Sequence, residues 1–547
     1  MKKILGAALG SCVHVGGLHH FLKIAESEGY TTISLGPAVS ISRIISGIKS
    51  ESPDVVALSY RLTPEVAKNL FEELKSILKK EKISNIKLIF GGTPPAALEA
   101  EKSGIFEKVF SGSESVNEIK AYLRGSEGTA NKYLFADNLI ERINQKFPYP
   151  LLRHHFGRPT VKETVDGVKK IADSGACDII SLGTDQNAQE YFFHPELMNN
   201  EEDGAGGVPV RSSQDLEIIY QNSRTGNHPL LRCYAGTNEL LKWAEMSVAT
   251  IKNAWAAIPL CWYSVIDGRS TRTIAEAITE NQSVMKWYAE KGIPVEVNES
   301  HQWSLRDAHD SLAVTMAFLA AYNAKQMGVK NYVSQFMFNT PPGTSPKMDI
   351  AKMIAKLELI EELQDENFKV IREVRAGIAH FSSIPSVAQG QLAASALISL
   401  ALKPHILHVV GFSEGDHAVY QDELIQSCNI IHGVLHNCLY GLPDMTIDPV
   451  VIKRKQELKR ESKVLLEAIQ KLGSSSAENT WTNPLHIEKA IKIGLLDAPH
   501  FHGNPHLFGE IHTRLIDGAW HAIDIESGKI IYETERTNLI LQKSKGV

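Results

Sequence analysis

The chain has little of what marks a secreted, membrane or nucleic-acid-binding protein. Its 547 residues include six cysteines (Cys12, Cys177, Cys233, Cys261, Cys428 and Cys438). None falls in a Cys-x-x-Cys pair, a pattern that fits reduced thiols better than a disulfide scaffold or a zinc site. No apolar run reaches the ~20 residues a membrane-spanning helix needs. Lysine and arginine (57) are outnumbered by aspartate and glutamate (63), so the net charge of −6 offers no basic field for nucleic acid. Low-complexity tracts and short internal repeats are lacking too. Met1-Lys2-Lys3 leads straight into an apolar strand rather than a signal peptide, so a cytoplasmic protein engaging neither nucleic acid nor membrane is expected. What remains is a chain 43% hydrophobic and 22% charged, long enough for more than one domain.

The first 125 residues alternate short apolar strands with amphipathic helices. Strands are expected at 3–9, 31–35, 54–59, 87–90 and 108–111, with helices at 18–27, 40–49, 64–80 and 115–123. That alternation predicts a doubly wound parallel sheet. Its strand ends are small or polar: Gly10-Ser11-Cys12-Val13-His14-Val15-Gly16-Gly17, then Ser59-Tyr60-Arg61-Leu62, then Gly91-Gly92. His14, Ser59 and the glycine pair would share the carboxyl edge, where a ligand can approach the backbone closely. A histidine in such a loop is also commonly a cap or a surface residue.

This combination resembles the cobalamin-binding domain of adenosylcobalamin mutases and methionine synthases. Its signature is Asp-x-His-x-x-Gly, then Ser-x-Leu, then Gly-Gly. Residues 12–17 keep His14 and Gly17 but put Cys12 where the family has aspartate. Ser59 is kept, Arg61 stands at the leucine position, and Gly91 and Gly92 are intact. The resemblance implies a flavodoxin-like domain in which His14 ligates cobalt, the metal, beside a slot lined by Ser59, Gly91 and Gly92. The family aspartate accepts the second ring proton of the ligand histidine; a thiol accepts poorly, so weaker ligation by His14 is expected.

A polar, glycine-rich stretch opens a linker expected over residues 126–150. Eight strand candidates follow, at 151–156, 178–182, 230–234, 258–265, 295–299, 331–338, 370–375 and 406–412, each with a helical stretch or long loop behind it. Eight such units over residues 151–445 predict a (β/α)8 TIM barrel, with a second doubly wound sheet as the other option. The strand ends are polar: Arg153-His154-His155-Phe156-Gly157-Arg158, Tyr234-Ala235-Gly236-Thr237, Trp262-Tyr263, Asn298-Glu299, Arg375, and Ser413-Glu414-Gly415-Asp416-His417. Each reads as a cap or loop contact alone; together they predict a polar mouth that holds the active site. His154 and His155 lack partners at metal-binding spacing.

Residues 294–331 and the segment from Gly494-Leu495-Leu496-Asp497-Ala498-Pro499 to Asp517-Gly518 resemble the large catalytic subunit of glutamate mutase (methylaspartate mutase). Residues 1–125 resemble its small subunit, so both halves of one enzyme are suggested in one chain. The resemblance implies adenosylcobalamin between the domains, radical carbon-skeleton rearrangement, a small-molecule carboxylate or amino-acid substrate, and a homodimer. It gives Tyr263 the place of a family tyrosine, and with the strand-end residues Glu299 and Arg375 it is a candidate catalytic residue; the family's ribose-binding lysine is missing, which leaves Glu414 and Asp416 as candidate contacts to the adenosyl ribose. Tyr234 stands where the family has a substrate-binding arginine; Arg153, Arg158 and Arg211, with Arg375, are the guanidiniums available to clamp a carboxylate.

Residues 446–547 begin with a charged amphipathic helix over 450–472 and continue into a histidine-rich stretch, His500-Phe501-His502-Gly503-Asn504-Pro505-His506. A cap over the barrel is preferred there to a metal tract. Two other classes stay open: a corrinoid-dependent methyltransferase, which would normally carry a helical cap domain, and a non-catalytic cobalamin-binding sensor, which would carry an output module. Neither extra segment is visible.

Overall fold

The computed structural model describes residues 2–112, 114, 116–125, 135–234, 236, 238–377, 380–438, 441–473 and 479–545. It divides into two compact units at residues 134/135. The nine residues 126–134 of the expected linker lie outside the described residues.

The first unit is a five-stranded parallel sheet of β1 (Lys3–Ala8), β2 (Thr31–Ser34), β3 (Val55–Tyr60), β4 (Lys87–Gly92) and β5 (Lys108–Phe110) in the order β2-β1-β3-β4-β5. Its helices are α1 (Gly16–Ser27), α2 (Ile41–Glu51), α3 (Pro64–Lys80), α4 (Pro94–Ser103) and α5 (Val116–Arg124). The central strands read as buried apolar runs because helices cover both faces. One core packs Leu5, Val56, Leu58 and Phe90 with α2, α3 and α4; the other packs Ile4, Val55 and Ile89 with α1 and α5. Helix α4 was not expected from the sequence; Pro94 and Pro95 start it, and its short alanine-rich face gives a weak periodic signal.

The second unit opens with α6 (Leu139–Lys146), followed by eight parallel strands: β6 (Leu151–Phe156), β7 (Ile179–Leu182), β8 (Leu230–Cys233), β9 (Ala256–Ile258), β10 (Val295–Val297), β11 (Asn331–Phe338), β12 (Lys369–Ala376) and β13 (Ile406–His408). Between and after them run α7 (Val161–Ser174), α8 (Gln186–Tyr191), α9 (Ser213–Asn222), α10 (Leu240–Ile251), α11 (Ile274–Glu290), α12 (Ser300–Ser304), α13 (Asp310–Gln326), α14 (Pro346–Glu361), α15 (Pro385–Ser399) and α16 (Gln421–Asn437). The sheet order β8-β7-β6-β13-β12-β11-β10-β9 rolls up into a nearly closed TIM barrel. Where β8 meets β9, the Ala254 amide donates to the Leu231 carbonyl at 2.9 Å.

Strand alternation sorts the residues. Leu152, Ile180, Leu231, Phe336, Val374 and Leu407 face the surrounding helices. Residues of the opposite parity face inward: Leu151, Ile179, Leu230, Val333, Ile371 and Ile406 form an apolar floor with Trp255. Leu139 of α6 is buried in that floor, with Ile140 and Ile143 packed beside it. Residues 135–150, expected as linker, therefore fold with the barrel. Arg142 fixes α6 by donating to the carbonyls of Ala136, Asn227 and His228, and Lys146 pairs with Asp178 at 2.8 Å.

One strand is displaced from its expected place. The fourth was read at 258–265, but it is Ala256–Ile258; residues 259–265 form a loop in which Tyr263 adopts a left-handed φ of 62°. The Glu299 carboxylate pins that loop, accepting the amides of Leu260 (2.9 Å) and Cys261 (3.1 Å).

The C-terminal segment belongs to the barrel unit. Helix α17 (Pro449–Gln470) packs on α13 and α14 through Val451, Leu458 and Leu465. Helix α18 (Pro484–Lys492), the hairpin β14 (His512–Ile516)–β15 (Ala519–Ile523) and α19 (Glu533–Lys545) follow. The hairpin lies on loops that leave the carboxyl ends of β10 and β11: Thr513 donates to the Asp307 carbonyl (2.7 Å) and the Ser345 amide to that of Gly518 (2.9 Å). Asn504 donates to the Val265 carbonyl after β9 at 3.3 Å. The segment thus covers part of the barrel mouth.

Candidate functional site

Two sites emerge, one in each unit. In the first, the strand order reverses direction between β1 and β3, the switch point where open α/β sheets take their ligands. The loop after β1 carries His14, whose ring is exposed; the Sγ of buried Cys12 lies 3.8 Å from its Nδ1. Ser59, near the end of β3, pairs in register with Gly91 of β4 and Ala8 of β1. Its hydroxyl is buried with no hydrogen-bond partner among the described residues.

The glycines around it divide by role. A Cβ on Gly16, Gly17 or Gly91 would meet nothing within 4 Å, which leaves open space along the edge. A Cβ on Gly92 would come within 2.6 Å of the Tyr60 carbonyl, so the backbone crossing itself requires glycine there. An exposed imidazole, an orphaned hydroxyl and an open glycine-floored slot fit a bulky ligand that offers a metal and a threaded polar tail. The residues present therefore fit cobalamin.

In the second unit, the inward positions above the apolar floor are charged. Arg153 (β6) pairs closely with Glu373 (β12) and donates through Nε to Ser181 (β7) at 2.6 Å. Arg232 (β8) pairs with Glu296 (β10) at 2.7 Å, which also accepts from Trp255 Nε1 (2.7 Å) and Gln335 (3.1 Å). All four charged side chains are fully buried. Trp255 lies between the two guanidiniums, 5.5 Å from Arg153 and 5.1 Å from Arg232.

Above this layer sit His155, Tyr234, Arg375 and His408. The His155 ring stacks on Tyr234 at 5.4 Å and meets His408 at 4.8 Å, and Arg232 lies 4.3 Å from the Tyr234 ring centre. Burial, and then the fields of Arg153, Arg232 and Arg375, hold His155 well below the usual imidazole range. Burial with Arg153 and Arg375 does the same to His408. These imidazoles are neutral, so the positive charge of the mouth resides in the arginines.

Arg375 differs from the other two. Burial lowers its pKa, and it has no hydrogen-bond or ion-pair partner among the described residues. Unpartnered atoms cluster in the same interior: Arg375 Nε, Arg232 Nε and Nη1, Gln335 Oε1, Asn298 Oδ1, Glu373 Oε2 and His408 Nδ1. Buried polar atoms are normally satisfied, so a group of donors and acceptors left open marks a place for a polar ligand.

The remaining candidates from the sequence are placed elsewhere or already engaged. Arg211 spends its guanidinium on Asp185 (3.0 and 2.5 Å) and Asp203, bracing the loop after β7. Arg158 stacks on Tyr420 at 3.8 Å and donates to the Ala418 carbonyl, tying two loops together. Glu299 is filled by the two loop amides and by Trp303 Nε1 at 2.7 Å, a bracing role rather than a reactive one. Tyr263 lies under Arg269 at 5.2 Å, its hydroxyl pushed up to about 12 by burial. Glu414 faces His154 Nε2 at 3.4 Å, while exposed Asp416 pairs with His417 at 2.9 Å. Ala235 and Thr237 lie outside the described residues.

Sequence reasoning missed Arg232, Glu296, Glu373 and His408, because it looked at strand ends only. The signal was present: Arg153/His155, Arg232/Tyr234, Glu296/Asn298 and Glu373/Arg375 are polar pairs at spacing two inside otherwise apolar strands.

Residues 2–119, the α/β unit with this edge, match the family model described as the B12 binding domain. The match covers the first unit, whose edge supports cobalamin binding there. Among solved structures, the chain is similar to a novel cobalamin-binding protein from Desulfitobacterium hafniense DCB-2, at 27% identity and a TM-score of 0.20. That similarity covers 22% of this chain and 58% of that one. It is also similar to a truncated 3-deoxy-D-arabino-heptulosonate 7-phosphate synthase from Thermotoga maritima, at 10% identity and a TM-score of 0.31, over 53% of this chain and 88% of that one. No curated protein sequence matches the chain.

Proposed function

We propose that the protein is an adenosylcobalamin-dependent radical mutase resembling glutamate mutase, an isomerase of a small carboxylic or amino acid, working as a homodimer in the cytoplasm. The observation that carries the substrate class is Arg375. In the barrel interior Arg153 and Arg232 pair with Glu373 and Glu296, whereas Arg375, within the field of Glu414, has no hydrogen-bond or ion-pair partner among the described residues. A substrate carboxylate would supply the missing negative charge through paired N–H donors. The free Nε and Nη1 of Arg232 offer further donors, and Glu373 Oε2 offers an acceptor to an ammonium or hydroxyl.

When bound, adenosylcobalamin supplies a carbon radical by homolysis of its cobalt–carbon bond. The chain's residues hold and shield. His14 would hold cobalt, Gly17 and Gly91 would leave room for the corrin and its tail beside Gly92, and the Ser59 hydroxyl would be the donor to that tail. Glu414 would offer its carboxylate to the ribose hydroxyls; Asp416, already paired with His417, is the lesser candidate. Tyr263 stays protonated at neutral pH and lines the mouth as a neutral donor. The apolar floor keeps water from the reacting carbon from below.

The test is deuterium exchange from 5′-deuterated adenosylcobalamin into a panel of small carboxylic and amino acids. Label should enter one acid and its skeletal isomer, and Arg375→Met should abolish the exchange. Label that stays in the cofactor with every acid, alongside methyl transfer from methylcobalamin, would make the protein a methyltransferase. Neither reaction would leave a non-catalytic binder.

A further inference from the structure

Cys12 stands where the resemblance places an aspartate, and its chemistry runs in the opposite direction. The backbone of Cys12 is held and its side chain is enclosed. Its side chain is fully buried in the core formed with Leu9, Val39 and Tyr60, its amide donates to the Leu9 carbonyl (3.2 Å), and its carbonyl accepts from Ala38 (2.9 Å). The Sγ contact at 3.8 Å is the one hydrogen-bond partner of the His14 ring among the described residues.

A neutral imidazole has a single ring proton. To offer Nε2 to a metal it must carry that proton on Nδ1 and donate it to a partner. A carboxylate accepts such a bond strongly. A thiol sulfur accepts weakly and has a proton of its own to give. When Cys12 donates S–H to Nδ1, the ring proton must sit on Nε2, and the lone pair needed for ligation is gone.

We propose that Cys12 is a positioning residue that holds His14 in the non-ligating tautomer. Cobalt takes this imidazole only when the S–H···N contact is given up, which makes the lower ligand conditional rather than fixed. The inference rests on the reading of His14 as the residue that faces cobalt.

The test uses the full chain, labelled with nitrogen-15 and loaded with unlabelled cob(II)alamin. EPR superhyperfine structure reports the ligand: a doublet for protein imidazole, a triplet for the cofactor's own base. Wild type, Cys12→Ala, Cys12→Asp and His14→Ala are compared, with affinity followed by absorbance. The doublet fraction should rise in Cys12→Ala and dominate in Cys12→Asp, whose affinity should increase about tenfold or more. Cys12→Ala covers the case that a buried aspartate disturbs folding, since it adds no charge. A doublet that falls in Cys12→Ala would mean the sulfur supports ligation, and overturns the proposal. Equal doublets in wild type and both Cys12 variants also overturn it but leave His14 as the ligand. No doublet anywhere, with His14→Ala binding as wild type does, overturns both readings.

Discussion

Arg375→Met and Glu373→Gln change neighbouring inward positions on one strand, and they should move stability in opposite directions. Arg375 is half-buried, and its Nε is buried with no hydrogen-bond partner among the described residues. A buried polar group left unsatisfied costs about 1–3 kcal/mol, and a charged one at least that. Methionine keeps the length of the side chain without the charge, so Arg375→Met should stabilise the substrate-free protein by ~2 kcal/mol. Glu373→Gln does the reverse. It leaves Arg153 fully buried opposite a neutral amide, and breaking a buried pair from one side costs about 3–5 kcal/mol. Urea denaturation followed by tryptophan fluorescence reads this cleanly, because all seven tryptophans lie beyond residue 240, in the barrel unit. At a slope of about 3 kcal/mol per molar, a 2 kcal/mol gain moves the midpoint up by roughly 0.7 M. A midpoint that falls in Arg375→Met would show that this guanidinium is already paired within the protein, and the charge argument for a carboxylate substrate would collapse.

Gly91→Ala should leave the apo protein within about 0.5 kcal/mol of wild type, because nothing described lies within 4 Å of the added carbon, yet it should weaken cobalamin uptake measured by absorbance. Unchanged uptake would remove Gly91 from the cofactor slot. Acid should loosen the C-terminal helix: burial opposes ionisation of Glu533, but Arg536 and His309 prevail and hold it at about 2, against 4.5 for a free carboxyl. Since the folded pKa is the lower one, this stability is complete above pH 4.5 and is lost as pH falls toward 2, roughly 3 kcal/mol in all. Glu533→Gln should remove that stability at neutral pH and flatten the acid limb of the unfolding curve between pH 4.5 and 2.

The architecture was legible where apolar runs were long and bounded. Residues 331–338 and 151–156 match their strands because each run is closed off by polar or turn-forming residues on both sides. The fourth strand was not, because Ala256-Ala257-Ile258 is short and alanine-rich, while the more apolar stretch after it contains Pro259 and is held as a loop by a carboxylate 38 residues further on. The shared sheet edge of His14, Ser59, Gly91 and Gly92 was legible because they fall in one loop and two strand ends. The charged layer was not, because Arg153 finds Glu373 across 220 residues and Arg232 finds Glu296 across 64, pairings that only closure of the barrel creates. Arg375, Arg211 and Arg158 look equivalent in sequence; only their surroundings separate the unpartnered one from the two that brace loops.

The short helix seated in the barrel floor plugs the amino-terminal end of the strands with Leu139, Ile140 and Ile143. On the proposed reading, entry and exit would then share the carboxyl end, so substrate would have to arrive before that end is covered, and a molecule resting across the rim would act as an inhibitor without touching a residue inside.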